Sequence, residues 1–154
     1  PYGISKREIN EFVERKYDWI ERKLQEMSRR KEEQKNHSHL TEAQVKELAR
    51  KALEYIPSRV EYYAPIVGVD YSRITIRNQK TRWGSCTSKG NLNFNCFLMM
   101  APPDVIDYVV VHELCHRKQM NHSKAFWDEV ARVCPEYKEA RNWLKEHGTL
   151  ISYE

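Results

Sequence analysis

The spacing of apolar residues divides the chain into a helical start, a short alternating middle and a helical end. In residues 5–35, apolar side chains recur at steps of three and four, as at Ile20, Leu24 and Met27. This period predicts one long amphipathic helix. Residues 36–39 are polar, and we interpret them as a linker.

A second helix is predicted to begin after Thr41. Thr41 and Gln44 have the spacing of a capping box, and an apolar face follows from Val45 to Ile56. Pro57 is expected to kink or end this helix, because proline lacks a backbone donor. A further turn is expected to about residue 64.

The middle of the chain changes to a period of two, which is typical of strands. Tyr71–Arg77 alternates, and Lys80–Ser85 and Gly90–Met99 have strand-like composition. The intervening residues 87–90 predict a hairpin turn in which Gly90 takes a positive φ.

Three further helices are expected after Pro102 and Pro103, which end the sheet. They cover about 104–120, Lys124–Val133 and Glu136–His147. Helices followed by a small three-stranded sheet and more helices predict an α+β fold. We divide the chain into residues 1–40, a long helix with its linker, and residues 41–154, the main domain.

Composition narrows the class of protein. The 154 residues are 40% hydrophobic and 31% charged, which favours a soluble globular protein, and no apolar run is long enough for a membrane span. The four cysteines follow no secretory pattern, so we expect reduced thiols and a cytoplasmic location. The chain begins at Pro1, so an original targeting signal would be invisible.

The net charge of +4 gives little support to nucleic-acid binding. The densest basic cluster, Arg29–Lys31, is interleaved with glutamates, which favours a solvated helix face. A nucleic-acid partner is therefore only weakly supported.

The chemical signal is the pattern His112-Glu113-Leu114-Cys115-His116 on an apolar helix. Four residues of helix turn through roughly 400°, so the two histidines lie about 40° apart on one face. Two imidazoles in this arrangement can hold one Zn²⁺, and Glu113 can reach a water on the metal without being a ligand.

His122 is the expected third ligand. Six residues of unbroken helix would point it away, so the helix must stop near Met120, and Asn121 is suited to the turn. Ser123 then caps the next helix. Three protein ligands leave the fourth position that a catalytic zinc keeps open, whereas a closed structural site would need Cys115 or Cys134 as a fourth ligand.

The combined motifs resemble the YgjP-like metallopeptidase family, which is similar to SprT-like and WLM proteases and grouped near the M48 peptidases. The resemblance rests on Arg82–Cys86, Asp107–His116, Asn121–Ser123 and Phe126-Trp127, and on a start at Pro1 that looks like the family's middle region. It implies a minimal zincin-like domain, zinc on His112, His116 and His122, Glu113 as general base, and an absent N-terminal β-rich segment.

Related metallopeptidases leave one alternative for the third ligand. Metzincins share the step to the third histidine but have glycine where this chain has Gln119, and no later methionine is present for their Met-turn. Gluzincins use a glutamate, for which Glu129, Glu136 or Glu139 is available.

We therefore expect a zinc-dependent peptidase in which a metal-activated water, deprotonated by Glu113, attacks a peptide carbonyl. Arg82 and Trp83 are candidates for substrate binding, and Arg82, Tyr108 or a downstream polar residue for stabilising the oxyanion. Two alternatives stay open. One is a nucleotide pyrophosphohydrolase that uses the basic residues Arg73, Arg77, Lys80 and Arg82, and the other is a DNA-associated binding module.

Overall fold

The computed structural model describes residues 5–37, 40–78 and 82–148. These residues form an α+β fold, as the sequence predicts, with five α-helices, a three-stranded sheet and one 3-10 helix. In chain order the elements are α1 (Lys6–His37), α2 (Glu42–Val67), β1 (Arg73–Arg77), β2 (Gly84–Cys86), β3 (Asn91–Asn95), the 3-10 helix (Cys96–Met100), α3 (Pro103–Cys115), α4 (Lys124–Val133) and α5 (Tyr137–Glu146).

The first helix runs slightly further than predicted. It continues through Asn36 and His37, so the prediction of a linker was wrong for these two residues, while Ser38 and His39 lie outside the described residues. Asn and His cost less than about 0.7 kcal/mol each in a helix, too little to end a long one.

Helix α2 begins as predicted and ends later. The Thr41 hydroxyl accepts from the Gln44 amide at 3.1 Å, and the Gln44 side chain accepts from the Thr41 amide at 2.8 Å. The sequence predicts that Pro57 kinks or ends the helix and that a separate turn follows. The helix does not end there, because it continues through Pro57 to Val67 and is capped by Gly68 at φ +86°. An interior proline costs about 3 kcal/mol, and burial of the inner face offsets it. That face consists of Ala52, Ile56, Val60, Ala64 and Val67.

In the sheet, β3 lies between β1 and β2. It pairs in parallel with β1 and antiparallel with β2, so β2 is an edge strand. Leu92 and Phe94 point into the core, as their alternation predicts. The predicted turn is present, with Gly90 at φ +87° and its amide donating to the Thr87 carbonyl at 3.0 Å.

The predicted strand bounds need correction. β1 begins at Arg73 instead of residue 71, β2 covers Gly84–Cys86 instead of 80–85, and residues 79–81 lie outside the described part. β3 ends at Asn95 because the Asn95 side chain accepts from the Phe97 amide at 3.1 Å. This cap starts a 3-10 helix where the sequence predicts more strand.

Helix α3 is the most enclosed element, with nine of its 13 residues buried. It packs against α2, β2, α4 and α5. Arg59 on α2 donates two hydrogen bonds, of 2.8 and 2.9 Å, to the carboxylate of Asp107 on α3. The Tyr63 hydroxyl donates to the same carboxylate at 3.2 Å. These contacts hold the helix that carries the predicted zinc ligands against the core.

The end of α3 was predicted too late. The helix ends at Cys115 instead of near Met120, and the backbone turns from His116 onwards. Tertiary contacts account for the early end, because the Arg117 side chain donates to the Asp70 carbonyl at 3.1 Å and the Ser88 carbonyl at 3.0 Å.

The last two helices follow the sequence closely. α4 has the predicted bounds, and the Ser123 hydroxyl accepts from the Phe126 amide at 3.4 Å. α5 covers Tyr137–Glu146, one residue shorter at each end than predicted. In the described part of the chain, no helix combines the length and apolar character that a membrane crossing requires.

Candidate metal centre

Three imidazoles meet where α3 ends. His112 lies in the last turn of α3, His116 caps it, and His122 lies in the loop before α4. One ligand atom from each ring lies within 4.8 Å of the others. The structure therefore brings these side chains together, and it does so by the turn that the sequence predicts, although the turn begins earlier.

One pair of nitrogens in the cluster has the spacing that a small tetrahedral cation requires. Nitrogens about 2.0–2.1 Å from zinc at a tetrahedral angle are roughly 3.3–3.4 Å apart. The Nε2 atoms of His112 and His122 are 3.3 Å apart. Three neutral imidazoles are also a donor set that Zn²⁺ prefers.

Two of the rings are held so that Nε2 faces the cluster. The Nδ1 of His112 lies 3.3 Å from the Tyr108 hydroxyl, and the Nδ1 of His116 lies 3.0 Å from the Gln119 carbonyl. A proton on each Nδ1 leaves a lone pair on each Nε2, which is the tautomer that a metal requires. Tyr108 is only 4% exposed, and its hydroxyl contacts His112, while a role at the oxyanion stays a prediction.

Aromatic side chains of α4 enclose the rings. Phe126 stacks on His116 with ring centres 4.5 Å apart, and Trp127 stacks on His122 at 5.9 Å. Burial, helped by the neighbouring imidazoles, lowers the pKa of His112 to about 3, and burial also lowers the pKa of His116. Both rings are therefore neutral and able to bind a cation at neutral pH.

The Glu113 carboxyl is buried beside the cluster. It is 5% exposed, and burial raises its pKa to about 8, against a smaller opposing effect of Arg82. A methyl group on Gly84 would lie 3.2 Å from Glu113 Oε1, so the glycine leaves room for the carboxyl. Sequence reasoning missed this contact, because nothing local pairs residue 84 with residue 113.

A cavity of about 320 Å³ opens over the cluster. The three histidines and Glu113 form its floor, and Arg82, β2 and Met120 form its walls. Of the two predicted substrate residues, Arg82 is exposed at this cavity, whereas Trp83 is half-buried against the core and lies beside it.

The alternative ligands do not join the cluster. Among the described residues, the three histidines are the only group of His, Cys, Asp and Glu with metal-binding spacing. Cys115 is fully buried away from them. The Glu129 carboxylate instead accepts from Lys118 at 3.2 Å and Arg132 at 3.1 Å. In the described part of the chain, no fourth His, Cys, Asp or Glu joins this group.

Comparisons with known proteins agree with the motifs. A family model described as YgjP-like, metallopeptidase domain, matches residues 31–147, which confirms the resemblance. No curated protein matches the chain.

Two solved structures are similar in fold. The crystal structure of the metallopeptidase zymogen of Pyrococcus abyssi abylysin is 24% identical with a TM-score of 0.54, over 59% of this chain and 93% of that one. The metallopeptidase zymogen of Methanocaldococcus jannaschii jannalysin is 21% identical with a TM-score of 0.48, over 57% and 94%. The first likeness supports a shared fold.

Proposed function

Because this chain belongs to the YgjP-like metallopeptidase family, we propose that it is a zinc-dependent peptidase. The observation that carries the proposal is the convergence of three imidazoles, with ligand atoms within 4.8 Å, beside a buried carboxyl. The division into residues 1–40 and 41–154 and the cytoplasmic location stay predictions.

His112, His116 and His122 would hold the metal. When bound, zinc supplies a Lewis acid that polarises a carbonyl and brings the pKa of a water towards about 7. Tyr108 and the Gln119 carbonyl keep two of the rings oriented for this task. Such supporting contacts typically change metal affinity or activity by about 10–100-fold.

Glu113 would move the proton. Its apolar surroundings make the carboxylate a stronger base than a solvated one, which suits a residue that takes a proton from water. The same carboxyl then donates the proton to the departing amine. Gly84 leaves room for the carboxyl, because a methyl group there would lie 3.2 Å from Glu113 Oε1 and require a small shift of the carboxyl.

The edge strand favours a peptide as substrate. No described strand pairs with the side of β2 that does not face β3, and Gly84, Ser85 and Cys86 line the cavity. An extended peptide can add to such an edge through main-chain hydrogen bonds, which places its backbone across the three histidines.

The nucleotide alternative is less well supported. Arg73 and Arg77 lie on β1, at the opposite edge of the sheet from the cavity, and Arg77 donates to Asn93 at 3.0 Å. Arg82 is the basic residue that reaches the cavity, and Lys80 lies outside the described residues. For the DNA-associated module, no contact in the described residues favours the basic cluster near Arg29.

The test combines elemental analysis with one substitution. We expect about one zinc per chain in the wild type and in Glu113→Gln, with peptide cleavage in the variant reduced by at least about 10²–10⁴-fold. Glu139→Gln, an exposed carboxylate on α5, is the matched control and should keep full activity. Full activity of Glu113→Gln would contradict the mechanism. Phosphate release from a nucleotide panel, without peptide cleavage, would favour the alternative.

A further inference from the structure

A second cavity of about 240 Å³ adjoins the metal centre. It shares Arg82, Gly84, His112 and Glu113 with the cavity over the histidines. The two spaces therefore meet at the carboxyl that is proposed to move the proton. Any group that occupies the second cavity lies next to the bond that would be cut.

The walls of the second cavity are apolar. Trp83 comes from the segment before β2, Val109 from α3 and Leu144 from α5, and the ring of Tyr108 adds to them. Val109 is 3% exposed and sits in the core, so this wall is rigid. Pockets that bind apolar groups have this composition, with a few polar groups at one end.

Among the described residues that line this cavity, no carboxylate is free to pair with a buried cation. Glu113 is the only carboxyl in the wall, and it is committed to the proposed proton transfer. A lysine or arginine side chain would lose its hydration without compensation, which is costly. Arg82 is exposed at the rim, where it can contact the substrate backbone instead of the group inside.

We propose that this cavity is a side-chain subsite, which takes an apolar residue of the leucine, methionine or phenylalanine class next to the scissile bond. The inference rests on the proposed peptidase function and names its substrate preference. A strand added to β2 points alternate side chains to one face, so one of them can enter the cavity while the backbone crosses the histidines.

Leu144 sets the depth of the subsite. It is half-buried on α5, packs against the core and belongs to neither the histidine cluster nor the edge strand. Leu144→Phe narrows the cavity and Leu144→Ala widens it. A change of one methylene in an apolar pocket alters discrimination by about 10–200-fold.

The first readout is the ratio of kcat/KM for two peptides that differ only at the residue beside the cut, phenylalanine or alanine. We expect the wild type to favour phenylalanine, Leu144→Phe to lower the ratio at least about tenfold, and Leu144→Ala to move the preference towards tryptophan in a third peptide of the same series. Leu48→Phe, a half-buried leucine of α2 outside both cavities, is the matched control and should leave the ratio unchanged. Thermal unfolding identifies any variant that fails to fold. If one Leu144 variant does not fold, the other Leu144 variant tests the proposal.

The second readout needs no catalysis. In Glu113→Gln protein, methyl NMR signals of Val109 and Leu144 should shift on addition of N-acetyl-leucinamide and stay unchanged with N-acetyl-lysinamide. If peptides are cleaved but the kcat/KM ratio is the same in the Leu144 variants as in the wild type, the subsite proposal is wrong and the peptidase proposal is unaffected. A preference for lysine or glutamate beside the cut leads to the same conclusion. Specific binding of N-acetyl-leucinamide without any peptide cleavage supports the assignment of the cavity and contradicts the proposal that the protein is a peptidase. If neither leucinamide binding nor peptide cleavage is observed, the subsite proposal and the peptidase proposal are both wrong.

Discussion

Helices α1 and α3 show that apolar spacing and burial are separate properties. α1 has the cleaner period of three and four, yet its described large apolar residues are between 48% and 67% exposed. These residues are Tyr17, Trp19, Ile20, Leu24 and Met27. α3 is apolar almost all round, and nine of its 13 residues are buried.

The difference lies in what surrounds each helix. α3 packs against α2, β2, α4 and α5, whereas no described residue of α1 belongs to the core. α1 is supported locally by pairs such as Arg7–Glu11, at 3.1 Å, which contribute about 0.2–0.5 kcal/mol each. The periodic pattern therefore predicts a helix, and the neighbouring elements decide what that helix contributes to stability.

The largest expected effect is on α3. Leu114 is 0% exposed, so Leu114→Ala should lower the free energy of unfolding by about 2–5 kcal/mol through lost burial and a cavity. Urea denaturation of the zinc-free protein measures it. A loss below about 1 kcal/mol would mean that α3 is not the packed element described above.

The next effect is a pH dependence that α3 confers. His112 has a pKa lowered to about 3 in the folded chain, against about 6.5 when unfolded, so folding favours the neutral ring. Its contribution is present above about pH 6.5 and is lost as the pH falls towards 3. By linkage, the contribution of His112 to the stability of zinc-free protein should fall by about 2 kcal/mol between pH 7.5 and pH 5, while Glu113, whose pKa is raised to about 8, changes the stability in the opposite direction over this range.

His112→Gln provides the control for this pH dependence. Urea denaturation of the zinc-free proteins at the two pH values should show that, from pH 7.5 to pH 5, the variant keeps about 2 kcal/mol more of its stability than the wild type, because Glu113 is present in both proteins. If stability changes with pH equally in both proteins, His112 does not contribute to the pH dependence.

A smaller effect on the free energy of unfolding is expected from the ion pair between Arg59 on α2 and Asp107 on α3. Asp107→Asn keeps the shape of the side chain and removes the charge that pairs with Arg59, so we expect a loss of about 1–3 kcal/mol. Glu54→Gln removes a carboxylate that pairs with Arg50 on the exposed face of α2 and should cost clearly less than Asp107→Asn, because solvent screens an exposed pair. Equal losses in the two variants, measured by thermal unfolding, would show that the α2–α3 contact is no stronger than a surface pair.

The smallest effect is expected in α1. Leu24→Ala is the counterpart of Leu114→Ala, because the same side chain is removed from an exposed position. We expect a change within about 0.5 kcal/mol, measured in the same urea titration. A loss of 2 kcal/mol or more would reveal that α1 buries this face in solution and would end the contrast between the helices.

Much of the candidate site follows from local sequence. The spacing of His112 and His116 needs only helical geometry, and Ser123 caps α4 at the predicted residue. The return of His122 could also be predicted, because a cation site requires the chain to turn before that residue. Each of these inferences depends on contacts within about ten residues.

Other features depend on distant parts of the chain. Pro57 stays inside α2 because the core side of that helix is buried, and α3 ends early because Arg117 reaches the Asp70 and Ser88 carbonyls. The parallel pairing of β1 with β3 leaves β2 at the edge, beside the histidines. No local pattern distinguishes this strand order from another.

The sequence alone determined the α+β class, most helix bounds and the identity of the three clustered histidines, because these follow from periodicity, capping and residue chemistry over short distances. The family followed from the resemblance of its motifs and from the match to the family model. Tertiary structure alone decided the contact of Gly84 with Glu113, the apolar cavity against Leu144 and the contrast in burial between α1 and α3. Those features arise where segments distant in the chain meet. Which surfaces meet depends on how all the apolar faces are buried at once.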